Sequence, residues 1–405
     1  MTQQKIFQTI AGYFATLKEQ VNVLASKLPT LYGASIIFLF LTLFSCVSKD
    51  EQKKGVESKS LYSKIAQLGK ELIKENKVPG ISIAVIRNGK LNWIQTIGYA
   101  DLESKRPVNK ETIFNVGSIS KMVSAWGFMQ MVENGVIGLD DPVNNHLTRW
   151  KLPESKFNES GVTPRRLMSH TAGISLHSVP GFEAENKLPT LEESLSSEIN
   201  GSEAVNLVLE PGSKWQYSGG GYAIMQLLLE EKTNIDFATY MKKNVFEPLG
   251  MANTDYRWTE DIAKKAARPY DENGNPLRNK RFAAVAAAGL QTNIEDLVKF
   301  AELSINKDPE KLKGVLKAET IDLMQKTVLP TSDEGESGLG YYKTMKYGLP
   351  IVGHGGSNPG WVAQVTLHLP TKSGLVIMCN GSNGLPVRRA IFSAWVEEVQ
   401  KQDIN

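Results

Sequence analysis

The sequence predicts an α+β protein, in which a mainly antiparallel sheet is flanked by helices and a helical lobe is inserted into the chain. Three observations predict this class. A hairpin pattern lies at 80–100, two further strand patterns lie at 361–381, and the region between them is richer in helical patterns and loops. Because strands occur near both ends of the chain, we expect the two ends to build one sheet lobe.

The elements near the start of this domain follow from local patterns. A helix is predicted from residue 60 to 75 because apolar residues recur at helical spacing, at Leu61, Ile65, Leu68 and Leu72. The next segment, GISIAVIRNGKLNWIQTIGYA, contains two apolar runs joined by Asn88-Gly89, which is a strong signal for a two-residue hairpin. The sequence therefore predicts a helix followed by two antiparallel strands.

The C-terminal part predicts the rest of the sheet lobe. A capping box at Thr292 to Glu295 precedes the helical pattern EDLVKFAELSI. Two strands are predicted around the turn at 370–374, and 387–400 is predicted to be a closing helix. We therefore divide the domain, 60–405, into a sheet lobe at about 60–134 and 281–405 and a helical lobe at about 135–280.

The N-terminal segment, 1–59, indicates export. Residues 31–47 form an almost wholly apolar run, which is long enough for a signal sequence but short for a comfortable membrane span. The run ends in LFSC at 43–46, which resembles the lipobox of bacterial lipoproteins. That resemblance implies an acylated Cys46 followed by a polar tether, and thus a membrane-anchored protein, periplasmic or at the cell surface. An uncleaved anchor and a buried helix remain alternatives.

Composition excludes several classes of function. The 405 residues carry a net charge of only +3, so no nucleic acid partner is expected. The two cysteines lie in no metal-binding pattern, and the sequence contains neither an HExxH motif nor a Walker loop. We predict no metal and no cofactor, and a small-molecule substrate.

A serine and a lysine three residues apart form the first candidate motif. Ser118 and Lys121 lie where a strand and a tight turn are predicted to run into a helix, so both side chains would share one face of its first turn. A helix N-terminus favours developing negative charge, and an amine can activate a hydroxyl that is a poor nucleophile alone. The same SxxK spacing at Ser304 and Lys307 lacks a preceding glycine turn, so the spacing alone is not specific.

Two glycine-rich segments supply further candidates. Tyr217 precedes a predicted helix in the segment QYSGGGY, where a phenol could be held rigidly. His354 opens HGGSN before a predicted strand, where Gly356 would let a substrate approach and the backbone N–H of Ser357 could donate to an oxyanion. Ordinary packing of the tyrosine and a structural role for the histidine are the alternatives.

The three motifs in this order resemble those of the β-lactamase-related and penicillin-binding-protein-like serine hydrolases, which include class C β-lactamases, esterases and D-amino-acid peptidases. The resemblance covers about 60–400 and extends to the segments VTPRRLMSHTAGIS, FEPLGMANT and AAAGLQTNIEDLVKF. It implies a β-lactamase/DD-peptidase-like fold with the site between the two lobes.

The resemblance also implies roles for individual residues. Ser118 would be the acylated nucleophile, Lys121 its base and Tyr217 the proton shuttle, while His354 would line the cleft where relatives often have lysine. The N–H groups of Ser118 and Ser357 would form the oxyanion hole. Relatives commonly have Tyr-x-Asn in the second motif, and the resemblance implies that its third position contacts the substrate. Gly219 occupies that position here, so the asparagine amide that would hold a substrate carbonyl is missing. Esters, amides or D-amino-acid derivatives are therefore expected rather than penicillins.

Other candidates are weaker. Ser169-His170 is predicted to structure a loop rather than to form a dyad, and His146, His177 and His368 are predicted to be structural or exposed. The absence of a GxSxG elbow counts against an α/β-hydrolase. A non-catalytic lipoprotein that binds or senses cell-wall fragments or another small ligand remains the alternative function.

Overall fold

The computed structural model describes residues 61–183, 185–331 and 335–403. The apolar run at 31–47, Cys46 and the polar tether lie outside the described residues, so the predictions about them stay predictions. Across the described ranges, no helix is both long and apolar enough to cross a membrane.

A nine-stranded antiparallel sheet forms the centre of the fold. Its strands lie in the order β3-β2-β1-β11-β10-β9-β8-β7-β6, and β4 pairs separately with β5. The strands are β1 Gly80–Arg87, β2 Lys90–Asp101, β3 Arg106–Pro107, β4 Phe114–Asn115, β5 Gln291–Thr292, β6 Leu329–Pro330, β7 Gly335–Ser337, β8 Tyr342–Lys346, β9 Leu349–Asn358, β10 Trp361–His368 and β11 Ser373–Cys379.

The pairing of β1 with β11 joins strands from the N-terminal and C-terminal parts of the chain in one sheet. Residues 81–86 of β1 pair with 374–379 of β11, and β1 also pairs with β2 across the hairpin. Asn88 and Gly89 both have positive φ, which matches the turn expected from an Asn-Gly pair. The predicted hairpin, the two C-terminal strands and the single sheet from both ends are confirmed.

The helices lie around this sheet. They are α1 at 61–75, α2 Ile119–Glu133, α3 Pro164–Met168, α4 Leu191–Ser196, α5 Gly219–Thr233, α6 Phe237–Met241, α7 Glu260–Lys265, α8 Val285–Ala288, α9 Ile294–Asn306, α10 Pro309–Leu312, α11 Ala318–Met324 and α12 Gly384–Asp403. Short 3₁₀ helices occupy Val143–Asn145 and Glu159–Gly161, and a π-helix, Lys242–Phe246, continues α6. The predicted boundaries of the two lobes stay a prediction.

One helix start differs from the predicted capping box. Asn293, not Thr292, caps α9, because the Asn293 side chain accepts a hydrogen bond from the N–H of Asp296. Thr292 instead belongs to β5, and its hydroxyl is 2.7 Å from that of Thr254. The strand pairing therefore shifts the helix start by one residue.

Helix α2 is the central helix of the core. Every residue from Ile119 to Met131 is buried, so the helix is enclosed on all sides rather than amphipathic. Met122, Trp126 and Met129 are at most 1% exposed. A helix enclosed in this way holds its first turn at a fixed position.

Candidate active site

Ser118 lies in the turn between β4 and α2. Gly117 adopts φ +51°, and its N–H donates to Oδ1 of Asn115 at 3.0 Å. The Ser120 hydroxyl donates to Gly117 O at 2.6 Å and accepts from the N–H of Leu290 at 2.9 Å. Ser118 is the N-cap residue of α2, yet its side chain makes no capping hydrogen bond within the described helix. Its hydroxyl is therefore available for chemistry.

Lys121 lies one turn further along α2 and faces this hydroxyl. Its side chain is buried, with Nζ 3.4 Å from Ser118 Oγ and 2.8 Å from the carbonyl oxygen of Ala287, to which it donates. Nζ also lies 4.8 Å from the centroid of the Tyr217 ring and 5.8 Å from that of Tyr222. The contact with Ser118 is long, as catalytic hydrogen bonds often are without substrate.

Tyr217 is held between two histidine rings. The centroid of its ring is 4.4 Å from that of His170 and 4.8 Å from that of His177. Nδ1 of His170 accepts the N–H of Ser218 at 3.1 Å, which places any proton of the neutral ring on Nε2. Burial, and then the charge of Lys121, hold the pKa of His170 well below its usual value. A neutral His170 thus supports the tyrosine.

His170 is a residue that sequence reasoning left outside the site. Its neighbour Ser169 bonds instead with the carbonyl of Arg165 and the hydroxyl of Thr171, so Ser169 and His170 form no dyad. The predicted loop-structuring role agrees with these contacts. The stacking of His170 against Tyr217 could not be predicted from the segment MSHTAG, because the fold brings these two distant segments together. His177 is exposed, as predicted, but it also borders the same cleft.

His354 lies on β9, where it is buried and packs against the Tyr342 ring with centroids 4.8 Å apart. Its Nδ1 is 2.5 Å from the carbonyl oxygen of Gly355, while Nε2 is buried without a hydrogen-bond partner among the described residues. Burial lowers the pKa of His354 to about 3, although the Gly355 carbonyl opposes this, and the charge of Lys121 lowers it further. His354 is therefore uncharged at neutral pH.

The end of β9 packs directly against the start of α2. A Cβ on Gly356 would lie 1.9 Å from the carbonyl oxygen of Val116 and 3.1 Å from the backbone nitrogen of Ser118, and a Cβ on Gly117 would lie 2.6 Å from that of Ser357. These two glycines therefore bring the backbone nitrogens of Ser118 and Ser357 to one place, as an oxyanion hole requires.

Two asparagines, which the sequence did not single out, hold β9 and the turn before α2 together. Nδ2 of Asn358 donates to Oδ1 of Asn115 at 2.7 Å and to the carbonyl oxygen of Ala288 at 3.1 Å. Since Asn115 also accepts from Gly117, this bond pair connects the two halves of the expected oxyanion hole. No local pattern marks Asn358, because its partner is 243 residues away.

Gly219 is the predicted site residue that the structure does not bring to the cleft. It is buried at the first position of α5, and its N–H donates to the carbonyl oxygens of Leu176 and His177 at 2.9 and 3.0 Å. A Cβ there would lie 3.2 Å from His177 O and from Val179 Cγ1. Residues 177–179 therefore face this position, and Gly219 is absent from the described residues that border the cleft.

A cleft of about 720 Å³ is lined by the other candidates except Lys121, which is buried beside Ser118. Its described lining includes Ser118, Tyr217, His354, Gly356 and Ser357, together with Lys343, Lys346 and Arg388. The described lining contains no carboxylate. Burial lowers the pKa of Arg388, whose Nη1 lies 3.1 Å from where a Cβ of Gly355 would stand. Among the described residues, no cluster of three metal-ligating side chains occurs.

Comparison with known proteins connects this geometry to a family. A family model described as Beta-lactamase matches residues 65–399. Protein flp of Staphylococcus aureus (strain N315) is 23% identical over 312 residues, which cover 76% of this chain and 61% of that protein. Penicillin-binding protein 4* of Bacillus subtilis (strain 168) is 29% identical over 176 residues, 43% of this chain and 37% of that protein. The chain thus spans less than two thirds of these relatives.

Solved structures share the fold. The octameric penicillin-binding protein homologue from Pyrococcus abyssi has a TM-score of 0.69 and 27% identity, covering 83% of this chain and 76% of that one. The Beta-Lactamase/D-Alanine Carboxypeptidase from Pseudomonas syringae has a TM-score of 0.67 and 19% identity, covering 84% and 99%, respectively. The predicted fold class and resemblance are confirmed.

Proposed function

The chain belongs to the Beta-lactamase family, and from this premise we propose that it is a serine hydrolase that cleaves an ester or amide through an acyl-enzyme on Ser118. One observation carries the proposal. Lys121 Nζ, buried and fixed by Ala287, lies 3.4 Å from a Ser118 hydroxyl that the helix does not use as a cap. A nucleophile and a base in this arrangement are what acyl transfer needs.

The reaction follows from these positions. As a general base, Lys121 takes the proton while Ser118 Oγ attacks the carbonyl carbon, and the N–H groups of Ser118 and Ser357 donate to the resulting oxyanion. Collapse of the intermediate breaks the bond to the leaving group, which takes a proton from Lys121 by way of the Tyr217 hydroxyl. Water then attacks the acyl carbon with the same groups as base, and Ser118 regains its proton.

The charges in the cleft favour a substrate with a carboxylate. His354 is uncharged, whereas Arg388 and Lys346 border the cleft. Lys343 borders it too, but its ammonium group pairs with Glu336 at 3.0 Å. Arg388 is the best placed of these, because its guanidinium approaches β9 beside His354 and the described residues give it no carboxylate partner. An ester, amide or D-amino-acid derivative whose leaving group carries a carboxylate therefore fits the cleft better than a neutral ester does.

The nucleophile is tested by covalent labelling. A serine-reactive phosphonate should label the wild type and the Ser304→Ala variant, but not Ser118→Ala. Ser304 is a matched control because it belongs to the second SxxK pattern, yet its hydroxyl is 2.9 Å from that of Tyr341 while Lys307 forms an ion pair with Asp322. Equal labelling of wild type and Ser118→Ala would refute the assignment.

Substrate choice is tested with a panel of short-chain esters, D-amino-acid amides, D-Ala-D-Ala peptides and a chromogenic cephalosporin. Hydrolysis that disappears in Ser118→Ala supports the enzyme. The non-catalytic alternative, a protein that binds cell-wall fragments or another small ligand, instead requires binding without turnover of any of these compounds.

The same proposal places the protein outside the cytoplasm, anchored to a membrane through acylated Cys46. The support is the apolar run at 31–47, which ends in LFSC, followed by a polar tether. Metabolic labelling with a fatty acid should mark the wild type and not Cys46→Ala. Equal label in both would exclude the lipoprotein, and an uncleaved anchor would then be tested by N-terminal sequencing.

A further inference from the structure

Two cavities adjoin the cleft, and Arg388 is absent from the described lining of both. The first, here named the near pocket, has a volume of about 490 Å³ and shares Ser178 and Ser357 with the cleft. The second, the far pocket, has a volume of about 620 Å³ and shares Lys280, Phe282 and Gln291 with the near pocket. Shared walls therefore run from the cleft at Ser357 through both pockets.

Gln291 stands where the two pockets meet. It is only 5% exposed, and its backbone is fixed because β5 pairs with Asn115 and the N–H of Gln291 donates to Asp255. Its Oε1 is buried and has no hydrogen-bond partner among the described residues. A buried amide oxygen without a hydrogen-bond partner is destabilising unless another group, such as a ligand, donates a hydrogen bond to it.

Gln226 borders the far pocket too, and the contrast is informative. Its Nε2 donates to the carbonyl oxygen of Ala283 at 3.1 Å, and its Oε1 accepts the N–H of Ala286 at 3.1 Å. The amide of Gln226 thus stabilises the protein itself. That of Gln291 has no such structural bond, which favours a role in binding.

The linings of the two pockets indicate which group would bind. Most polar side chains of the near pocket are amides and hydroxyls, among them Asn115, Ser178, Asn279, Gln291 and Asn358, and one carboxylate, Glu272, and one amine, Lys280, also border it. The far pocket adds aromatic side chains from Phe237, Tyr256, Trp258 and Phe282. Its lining also includes charged side chains, of which Arg149 pairs with Glu192 and Glu230, and Arg257 pairs with Asp236. A polar neutral group close to Ser357 and a bulky apolar group beyond it would match these surfaces.

We propose that the near and far pockets bind the acyl half of the substrate, and that Gln291 pairs with a secondary amide in it. The amide carbonyl would accept from Nε2 and its N–H would donate to Oε1, while an aromatic end group fills the far pocket. This rests on the proposed function, since it assumes that the acyl group is transferred to Ser118. The acyl donor is thus an N-acylated amino acid or a similar peptide-like group.

Three p-nitrophenyl esters test the inference: that of N-(3-phenylpropanoyl)glycine, its N-methyl analogue, and acetate. The wild type should prefer the first ester to its N-methyl analogue by about 5- to 10-fold in kcat/KM, because one hydrogen bond is lost. Gln291→Met should abolish that preference, measured as the ratio of kcat/KM for the two long esters. Ala283→Leu, which fills part of the far pocket, should slow both long esters and spare acetate.

The outcomes separate this inference from the proposed function. A wild type that hydrolyses acetate without preferring the secondary amide, or a preference that survives in Gln291→Met, overturns the inference alone. If no ester is hydrolysed, the inference is tested by calorimetry, which measures the binding of N-(3-phenylpropanoyl)glycinamide to the Ser118→Ala variant. Binding that Gln291→Met weakens about 5- to 10-fold supports the pocket although the hydrolase has failed. No binding overturns the inference as well.

Discussion

The buried imidazole of His354 should make the protein sensitive to acid. Burial lowers the pKa of His354 from 6.5 to about 3, so the folded protein keeps this imidazole neutral at every pH between these two values. Below pH 6.5 the unfolded chain binds a proton that the folded chain excludes, and stability is lost as the pH falls towards 3. At about 1.36 kcal/mol per pH unit, the cost between pH 7 and pH 5 is about 2 kcal/mol.

Urea unfolding at pH 7 and pH 5 measures this cost. His354→Gln should lose about 2 kcal/mol less than the wild type over that interval, because glutamine does not titrate. His170→Gln should shift the result in the same direction, since burial also lowers the pKa of His170. An identical pH dependence in wild type and His354→Gln would refute the reasoning.

Three further predictions concern the cleft. Lys121→Met should lower kcat/KM by about 10²- to 10⁴-fold with an unchanged circular dichroism spectrum, because it removes the proposed base; near-normal rates would exclude that role. Arg388→Met should slow hydrolysis of 3-carboxyphenyl acetate about 10- to 100-fold and spare the 3-carbamoylphenyl ester; equal effects would exclude carboxylate recognition. Gly356→Ala should cost about 1–3 kcal/mol or more in urea unfolding, because its Cβ would meet Val116 O at 1.9 Å; an unchanged midpoint contradicts this.

The elements that were predicted correctly depend on neighbouring residues. The Asn88-Gly89 turn sets the hairpin of β1 and β2, and the three-residue spacing places Lys121 beneath Ser118 on α2. Both relations follow from the geometry of one turn or one helix, so the sequence alone contains them. The family resemblance then predicted that Tyr217 and His354 join Ser118 and Lys121 in one site. These four residues lie in one region of the fold.

The relations that were missed join distant segments. Arg388 reaches β9 from the start of α12, Asn358 bonds to Asn115, and His170 stacks on Tyr217. Hydrophobic periodicity specifies which face of an element is buried but not which loop lies opposite, so no local pattern marks these residues. The position of Gly219 was misjudged for the same reason, because the segment 177–179 that packs against it lies about 40 residues earlier in the chain.

The two sides of Ser118 differ in chemistry, and the difference suggests a direction for the substrate. Arg388 and Lys346 border the cleft, whereas the near pocket beyond Ser357 is rich in amides and hydroxyls. A scissile carbonyl held by the N–H groups of Ser118 and Ser357 would place its leaving group towards the cations and its acyl group towards Gln291. A compound with an amide on the acyl side and a carboxylate on the leaving side uses both. Such a compound, for which a peptide-like ester or amide is the simplest case, should therefore exceed in kcat/KM any substrate that carries only one of these groups.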